Sequence, residues 1–187
     1  LVVLRDTMRG SVSFFCEVIR CFGCVFSGYK EYIIENQFIG ANSSIYKVKT
    51  LKNEDRILKV VPTDCRLADD LKNEVRTLMS LRHPFINGCF GIFTDGFSMV
   101  MECEAQQTDL LNLLNSKGKI PIYEALPLVT SIMHAVDFLH FSGFVHRDIK
   151  PDNILIGKFP KLADFGFVMK NKAEFILERR GTLGSSV

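Results

Sequence analysis

The pattern of apolar residues changes near Glu102, from mainly strand-like to mainly helical, and that change restricts the possible folds more than any other feature. Before it, short runs rich in β-branched and aromatic residues alternate with turn residues, which is typical of strands. The five predicted strands are Tyr32–Phe38, Ile45–Leu51, Arg56–Val61, Phe85–Phe93 and Phe97–Met101. After Glu102, apolar residues recur at helical spacing. This order predicts an α+β architecture of two lobes.

Three segments are predicted to form helices. In Leu67–Leu81 the apolar residues recur every three or four positions, so a single helix is expected to pack on the predicted sheet. Beyond Glu102, Asp109–Leu114 predicts a short helix and Tyr123–Phe141 a long one with an apolar face. Two further strand-like runs follow these helices, Ile154–Ile156 and Lys161–Ala163.

Charge and composition narrow the functional class. Lys and Arg number 23 and Asp and Glu number 21, a net charge of +2, so no strong positive field is available to hold nucleic acid. The longest stretches without these four residue types have 12 residues, whereas a membrane-spanning helix needs about 20 predominantly apolar ones. We therefore expect neither nucleic acid nor a membrane as a partner.

The cysteines indicate a reducing compartment. The six are Cys16, Cys21, Cys24, Cys65, Cys89 and Cys103. They are scattered among apolar neighbours, without the dense spacing of small disulfide-bonded secreted domains. Cys21 and Cys24 form a C-x-x-C pair, but neither a second pair nor a pair of histidines accompanies it to complete a zinc site. Reduced thiols in an intracellular, cytoplasmic protein are the expectation.

Two short motifs carry the strongest functional signal. His146–Asn153 reads HRDIKPDN, and Asp164–Gly166, a short distance downstream, reads DFG. Together, and in this order, they resemble the catalytic loop and metal-binding motif of the eukaryotic protein kinase family. The resemblance implies an enzyme that transfers the γ-phosphate of ATP to a protein hydroxyl with Mg²⁺. Its partners would be ATP and a protein substrate.

The resemblance implies a role for four residues of these motifs. Asp148 matches the aspartate that accepts the hydroxyl hydrogen of the substrate. Lys150 occupies the position at which serine/threonine kinases keep a cation beside the γ-phosphate, which argues against a tyrosine kinase. Asn153 and Asp164 match the two ligands that hold Mg²⁺ through oxygen atoms.

Upstream residues match the nucleotide-binding part of the family pattern. Lys59 should reach the α- and β-phosphates, with Glu74 on the following helix as its ion-pair partner. The main-chain carbonyl of Glu102 and amide of Glu104 would bond the adenine in the hinge. The remaining implied ATP contacts are Gly40 in the phosphate loop and Ile45 and Leu155 around the purine.

Two departures from the family pattern support alternative hypotheses. The glycine-rich phosphate loop is reduced to one glycine, Gly40, and a bulkier Ile57 stands where the family places alanine. Both changes disfavour ATP binding. A pseudokinase or scaffold module with weakened ATP binding is therefore the second hypothesis, and a truncated gene product without function is the third.

The resemblance also divides the chain. Residues 1–31 are predicted to be an extension of unassigned role, and residues 32–187 a partial kinase domain that stops before an Ala-Pro-Glu motif. The expected fold is α+β and protein-kinase-like: a complete β-rich N-lobe over about 32–101 with one main helix, a hinge at 102–104, and the first part of the helical C-lobe over 105–187. We expect this chain alone to expose the apolar face of Tyr123–Phe141 and to be marginally stable.

Overall fold

A computed structural model describes residues 11–17, 27–39, 43–64, 66–94 and 97–170, and the chain forms two compact units. The first unit comprises the chain up to Met79 together with Gly88–Ala105. The second comprises Ser80–Asn87 and the chain from Gln106 onward. The protein-kinase-like α+β architecture expected from the sequence is confirmed. The division between residues 31 and 32 stays a prediction.

The first unit is a closed barrel of six antiparallel strands, one more than predicted. In chain order they are β1 (Ser11–Glu17), β2 (Ser27–Ile39), β3 (Ser44–Thr50), β4 (Asp55–Pro62), β5 (Cys89–Thr94) and β6 (Ser98–Glu104). Their order around the barrel is β1-β2-β3-β4-β6-β5, and the pair Glu17 and Thr94 closes it. The additional strand, β1, lies in the segment to which sequence reasoning assigned no structure.

The core of the first unit follows the alternation of its strands. Val48 of β3 and Leu58 of β4 are fully buried, and Val100 of β6 is 1% exposed. The neighbours of Val48 and Leu58 along their strands are more exposed, as expected for strands that bury one face, whereas β6 is buried continuously from Met99 to Cys103. The core cluster consists of Tyr32, Val48, Leu58, Val60, Phe93 and Val100.

Between β4 and β5 the chain forms helix α1 (Arg66–Ser80), close to the predicted Leu67–Leu81. Its five buried residues recur at helical spacing: Ala68, Leu71, Glu74, Val75 and Leu78. Four of these five are apolar, so the amphipathic helix that the sequence predicted is confirmed. The fifth, Glu74, is a carboxylate, and its burial needs a partner.

One predicted strand, Phe85–Phe93, is wrong in its first half, since β5 begins only at Cys89. The main chain of the preceding residues bonds elsewhere. The Asn87 amide donates to the Leu162 carbonyl at 2.8 Å, and the Leu162 amide donates to the Phe85 carbonyl at 2.8 Å. These tertiary hydrogen bonds draw the segment into the second unit and away from the barrel.

The second unit combines two helices with short strands. In chain order these are β7 (Thr108–Asp109), α2 (Leu110–Lys117), α3 (Ile122–Phe141), β8 (Phe144–Val145), β9 (Ile154–Ile156), β10 (Lys161–Leu162) and β11 (Met169–Lys170). Strands β10, β9 and β7 form one small sheet, and β11 pairs with β8. Two loops leave these strands, one between β8 and β9 and the other after β10. They carry the two motifs.

Helix α2 is two residues longer than predicted, and both of its ends are capped. The Asp109 carboxylate accepts a hydrogen bond from the Asn112 amide at 2.7 Å, which satisfies one of the unpaired donors of the first turn. At the other end, Gly118 adopts a left-handed φ of 75° and its amide donates to the Leu114 carbonyl.

Helix α3 is apolar on both its buried and its exposed sides. Ile132, Ala135 and Leu139 are buried, whereas Met133 is 65% exposed and Phe141 is 91% exposed. This confirms the expected exposure of an apolar helix face. By length and mean hydropathy, α3 is also the one helix among the described residues that could cross a membrane, a property shared with core helices of soluble proteins.

Candidate active site

The three residues predicted to be catalytic meet in the loop between β8 and β9. The Asp148 carboxylate is buried, and its Oδ2 lies 2.9 Å from Lys150 Nζ and 3.0 Å from Asn153 Nδ2. Asn153 Nδ2 also donates to the main-chain carbonyl of Asp148 at 2.8 Å. The arrangement holds one carboxylate oxygen between a cation and an amide donor.

Local chain geometry places these side chains together. Pro151–Asn153 forms a short 3₁₀ turn, in which the Asn153 amide donates to the Lys150 carbonyl at 3.0 Å. Proline suits the first position of such a turn because its φ is already fixed near the helical value and it lacks a donor. The turn brings Asn153 back toward Asp148, five residues earlier in the chain.

His146 ties this loop to the strand that leads to Asp164. Its Nδ1 accepts from the Asp148 amide at 3.4 Å, which leaves the proton on Nε2, 3.1 Å from the Ala163 carbonyl. Its ring also meets Phe165 edge-on, with the ring centroids 5.0 Å apart. Burial lowers the pKa of His146, so the ring is neutral at neutral pH and the hydrogen-bond pattern is maintained.

A second main-chain contact fixes the position of Asp164. The Ala163 amide donates to the Asn153 carbonyl at 2.9 Å, so the two motifs are joined directly, one residue before Asp164. Asp164 itself has a φ of 59°, in the left-handed region. Non-glycine residues adopt this region at a conformational cost, and the flanking contacts of Ala163 and Phe165 hold it there.

Both aspartates act on the same cation. The pKa of Lys150 is raised, first by its hydrogen bond to Asp148 and further by the charges of Asp148, Asp152 and Asp164. The charges of Asp148 and Asp164 therefore both favour the protonated form of Lys150. Lys150 is therefore a persistent positive charge at neutral pH.

The donor set fits the predicted magnesium ligands. Asn153 directs its Nδ2 toward Asp148, so its amide oxygen faces the opposite way. That oxygen and the Asp164 carboxylate are hard donors of the kind Mg²⁺ prefers. Among the described residues no group of three or more His, Cys, Asp and Glu could hold a metal by itself. Two protein ligands completed by phosphate oxygens are consistent with how Mg²⁺ is usually bound.

The first unit contains the ion pair that the sequence predicted. Lys59 Nζ lies 2.9 Å from Glu74 Oε2, which joins β4 to α1. The Glu74 side chain is only 4% exposed, whereas that of Lys59 is 29% exposed. A carboxylate this deeply buried is costly without a partner, so the pair fixes the direction of the Lys59 side chain and leaves its ammonium within reach of solvent.

The adenine contact expected of Glu104 is not the arrangement found. The Glu104 amide donates to the Gly88 carbonyl at 2.9 Å and is committed to the sheet. The tertiary reason is that β6 pairs with β5 as far as Cys103, one residue before Glu104. Glu102 is buried, and its Oε1 lies 3.4 Å from Arg56 Nε.

The other predicted nucleotide contacts lie on different elements of the chain and stay predictions. Ile45 lies on β3 and is 37% exposed, and Leu155 lies half-buried on β9, paired with Asp109 and Lys161. Gly40 lies outside the described residues. The hairpin that contains it is confirmed, because β2 and β3 pair as far as Ile39 and Ser44.

Sequence reasoning missed the linking role of His146. It identified the residue as part of the motif and assigned it no catalytic role. The available signal was its position as the first residue of the motif, directly after strand β8. The partner that explains its role is the main-chain carbonyl of Ala163. Every residue has such a carbonyl, so the sequence does not indicate this contact.

Comparison with known proteins extends beyond the motifs. The family model for the protein kinase domain matches residues 37–184. Serine/threonine-protein kinase cds1 of Schizosaccharomyces pombe is 31% identical over 174 residues, which are 90% of this chain and 36% of that protein. Serine/threonine-protein kinase 36 of Pongo abelii is 30% identical over 144 residues, 74% of this chain and 11% of that protein. Serine/threonine-protein kinase D2 of Homo sapiens is 39% identical over 104 residues, 52% of this chain and 12% of that protein.

The matched range begins on β2 and includes the Lys59–Glu74 pair, the Asp148 loop and Asp164. These relatives are all serine/threonine kinases by name, and the chain spans 36% of the length of the first and less of the others. A match of this extent does not depend on two short motifs, and the chain belongs to the protein kinase family.

Proposed function

We propose that this chain is the catalytic part of a serine/threonine protein kinase, which transfers the γ-phosphate of ATP to a protein hydroxyl. Members of the family use ATP, typically with Mg²⁺. The observation that carries the proposal is the Asp148 cluster: a buried carboxylate hydrogen-bonded to Lys150 and Asn153, with Asp164 close enough to influence the same lysine.

Asp148 orients the substrate hydroxyl and receives its hydrogen as the new bond forms. Its Oδ2 is engaged by Lys150 and Asn153, which fixes the carboxylate plane. This is the preorganisation that phosphoryl transfer requires, since the reaction needs positioning and charge stabilisation more than covalent help.

Lys150 and Lys59 each supply positive charge to phosphate groups. Lys150 carries its charge throughout the neutral range because three aspartates raise its pKa, and it stabilises the charge on the transferred group. Lys59, held by Glu74, binds the α- and β-phosphates. Asn153 and Asp164 would hold Mg²⁺, which neutralises phosphate charge when bound.

The test is phosphate transfer from labelled ATP to a general protein acceptor such as casein, with and without Mg²⁺. Asp148→Asn should lower the transfer rate by about 10³-fold while leaving the melting temperature nearly unchanged. The matched control is Asp152→Asn, an exposed carboxylate in the same turn, which should retain activity. Equal activity of wild type and Asp148→Asn would contradict the proposal.

A second candidate, a pseudokinase with weak nucleotide binding, is favoured by one observation. The Glu104 amide is bonded to Gly88 and does not present the donor that adenine needs. Thermal melts with Mg-ATP separate the two functions, because a ligand that binds the folded state must raise the melting temperature. A shift with phosphate transfer supports the kinase, and a shift without transfer supports the pseudokinase. If Mg-ATP neither raises the melting temperature nor is used for phosphate transfer, both functions are contradicted.

We also propose the cellular setting and the partners of the chain. The partners are ATP and a protein substrate, without nucleic acid or a membrane, and the setting is the cytoplasm. The small net charge of +2 supports the proposal that nucleic acid is not a partner. The free thiols of Cys89 and Cys103 are consistent with the cytoplasm as the setting. Imaging of the tagged protein and a nucleic-acid binding assay at low salt would test them.

A further inference from the structure

Two cysteines lie opposite each other on neighbouring strands of the barrel in the first unit. Cys89 is the first residue of β5, and its register partner on β6 is Cys103. Both thiols are free. Cys89 is partly exposed and Cys103 is 8% exposed. Neither side chain has a part in the proposed phosphoryl transfer.

The hydrogen bonds around the pair define its geometry. The Glu104 amide donates to the Gly88 carbonyl, which joins the residue after Cys103 to the residue before Cys89. In antiparallel sheets this bond flanks a non-hydrogen-bonded pair, whose Cα atoms lie about 4.5 Å apart and whose side chains are closest. That separation falls within the range of about 4.4–6.8 Å found in disulfides.

The side chains use this proximity. The two side chains are close enough to shift each other's pKa, and Cys89 Sγ donates to the Gly91 carbonyl oxygen at 3.8 Å. The β-bulge between Cys89 and Gly91 ends the regular pairing at this point, so the thiol pair lies where the ladder is already irregular and can adjust.

We propose that Cys89 and Cys103 form a reversible oxidation site, at which a hydroperoxide converts the two thiols into a disulfide between β5 and β6. The inference is independent of the proposed phosphoryl transfer, because it rests on strand register and thiol contact alone. It gives a function to two of the six cysteines that the sequence analysis treated only as reduced thiols.

The reaction balances with one peroxide per disulfide. The Cys89 thiolate attacks the peroxide O–O bond, which yields a sulfenic acid on Cys89 and one water from hydrogen peroxide after proton uptake. The Cys103 sulfur then attacks the Cys89 sulfur, the S–S bond forms, and the hydroxyl leaves as a second water. Overall, the two thiols lose two protons and two electrons, and hydrogen peroxide takes up both and becomes two waters.

The environment favours this order of events. The neighbouring Cys103 side chain lowers the pKa of Cys89, while the Cys89 side chain and burial raise the pKa of Cys103. The more exposed sulfur is therefore the more acidic one, as a peroxide-reactive thiol requires. The buried sulfur lies behind it and serves as the resolving thiol.

The test uses the full chain. The protein is treated with one equivalent of hydrogen peroxide, its remaining thiols are alkylated, and the digest is analysed by mass spectrometry. We expect a cross-linked peptide that contains Cys89 and Cys103 and disappears on addition of dithiothreitol. The oxidised protein should melt about 5 °C higher or more than the reduced protein, since the bond constrains the unfolded chain.

Variants separate this site from the other cysteines. Cys65→Ser should still give the cross-linked peptide, whereas Cys103→Ser should lose it and leave a sulfenic acid on Cys89 that reacts with dimedone. Alkylation of both thiols in wild-type protein after peroxide treatment would overturn the proposal, as would a Cys89 disulfide to any other cysteine. Because the wild type alone supplies these readouts, the test stands even if a variant fails to fold.

Discussion

Asp148 illustrates how one carboxylate can be buried without being neutralised. Its Oδ2 is engaged by a cation and by an amide donor, so the charged form is favoured against the penalty of burial. In the first unit, the Glu74 carboxylate is likewise buried and is paired with the Lys59 ammonium. In both cases the ion pair sets the direction of a side chain, and that direction is what the proposed chemistry needs.

Removing the Lys59 ammonium should weaken nucleotide binding. Lys59→Ala is expected to raise the dissociation constant of Mg-ATP or lower kcat by about 10²-fold, because it removes a cation from the phosphates. Glu74→Gln should have a smaller effect in the same direction, since Lys59 keeps its charge and loses its orientation. Titration followed by fluorescence or calorimetry, together with initial rates, provides the measurement.

The control for this pair is the exposed Lys72–Asp69 ion pair on α1, whose nitrogen and oxygen are 2.9 Å apart. Exposed pairs contribute about 0–1 kcal/mol, so Lys72→Ala should change neither binding nor rate. If Lys72→Ala and Lys59→Ala had equal effects, the assigned role of Lys59 would be wrong.

His146 makes the folded state sensitive to acid. Burial holds its pKa below the ordinary value of 6.5, which the ring regains on unfolding. As the pH falls below about 6.5, the unfolded chain therefore binds a proton that the folded chain does not, and stability is lost until the folded pKa is reached. The partly buried ring of His83, whose pKa is also lowered first by desolvation, adds to the effect.

The expected outcome is a melting temperature that falls between pH 7 and pH 5, with a smaller fall in His146→Asn than in the wild type. Asparagine keeps a donor for the Ala163 carbonyl but has no proton to gain. His140→Asn, at an exposed position on α3, is the control and should follow the wild type. Identical pH profiles for wild type and His146→Asn would show that His146 does not contribute.

Helix termini and strand ends determine where the elements stop. Helix α2 follows Asp109 and stops before Gly118, because each of these capping residues forms a hydrogen bond with the end of the helix. Strand β6 runs to Glu104 because Gly88 accepts its last amide. The same pairing places Cys103 opposite Cys89, so the extent of one strand decides both the hinge donor and the thiol contact.

The N-cap of α2 can be tested by a pair of substitutions. Asp109→Ala should lower the free energy of unfolding by about 1 kcal/mol, because the Asn112 amide loses its acceptor. Asp109→Asn should be nearly neutral, since asparagine caps helices as well as aspartate. Urea denaturation of the three proteins supplies the values. A loss of equal size in both variants would indicate that the charge of Asp109, and not its capping oxygen, matters.

The exposed apolar side chains of the second unit are concentrated on helix α3. The barrel of the first unit encloses a core of six buried residues. In the second unit, the helix α3 leaves Leu126, Met133 and Phe141 more than 60% exposed. Large exposed apolar faces promote association in water.

Self-association of this chain should therefore decrease when the α3 face is made polar. Met133→Glu is expected to shift the protein toward monomer in light scattering after size-exclusion chromatography, because it replaces a 65% exposed thioether with a charge. Asn115→Glu adds the same charge at an exposed position on α2 and should leave the distribution unchanged. An unaltered oligomer distribution for Met133→Glu would mean that this face does not drive association.

The local pattern of apolar residues along the chain predicted most of the secondary structure. Alternating apolar residues predicted most of the barrel strands, and helical spacing predicted α1 and α3, because each pattern only needs to bury one face. The residues of the Asp148 loop could be identified because five positions separate the most distant members, Asp148 and Asn153, and a short turn brings them together. The family followed from these residues and was confirmed by the wider match.

Features that depend on distant partners were decided only by the tertiary structure. Strand β1 pairs with β2 and closes the barrel at Thr94, and the main chain around Ile86 joins β10 instead of extending β5. The Glu104 amide bonds Gly88, and Cys89 meets Cys103, for the same reason. Main-chain donors and acceptors are alike in every residue, so residue type does not reveal which partner they find, and only the folded chain selects it.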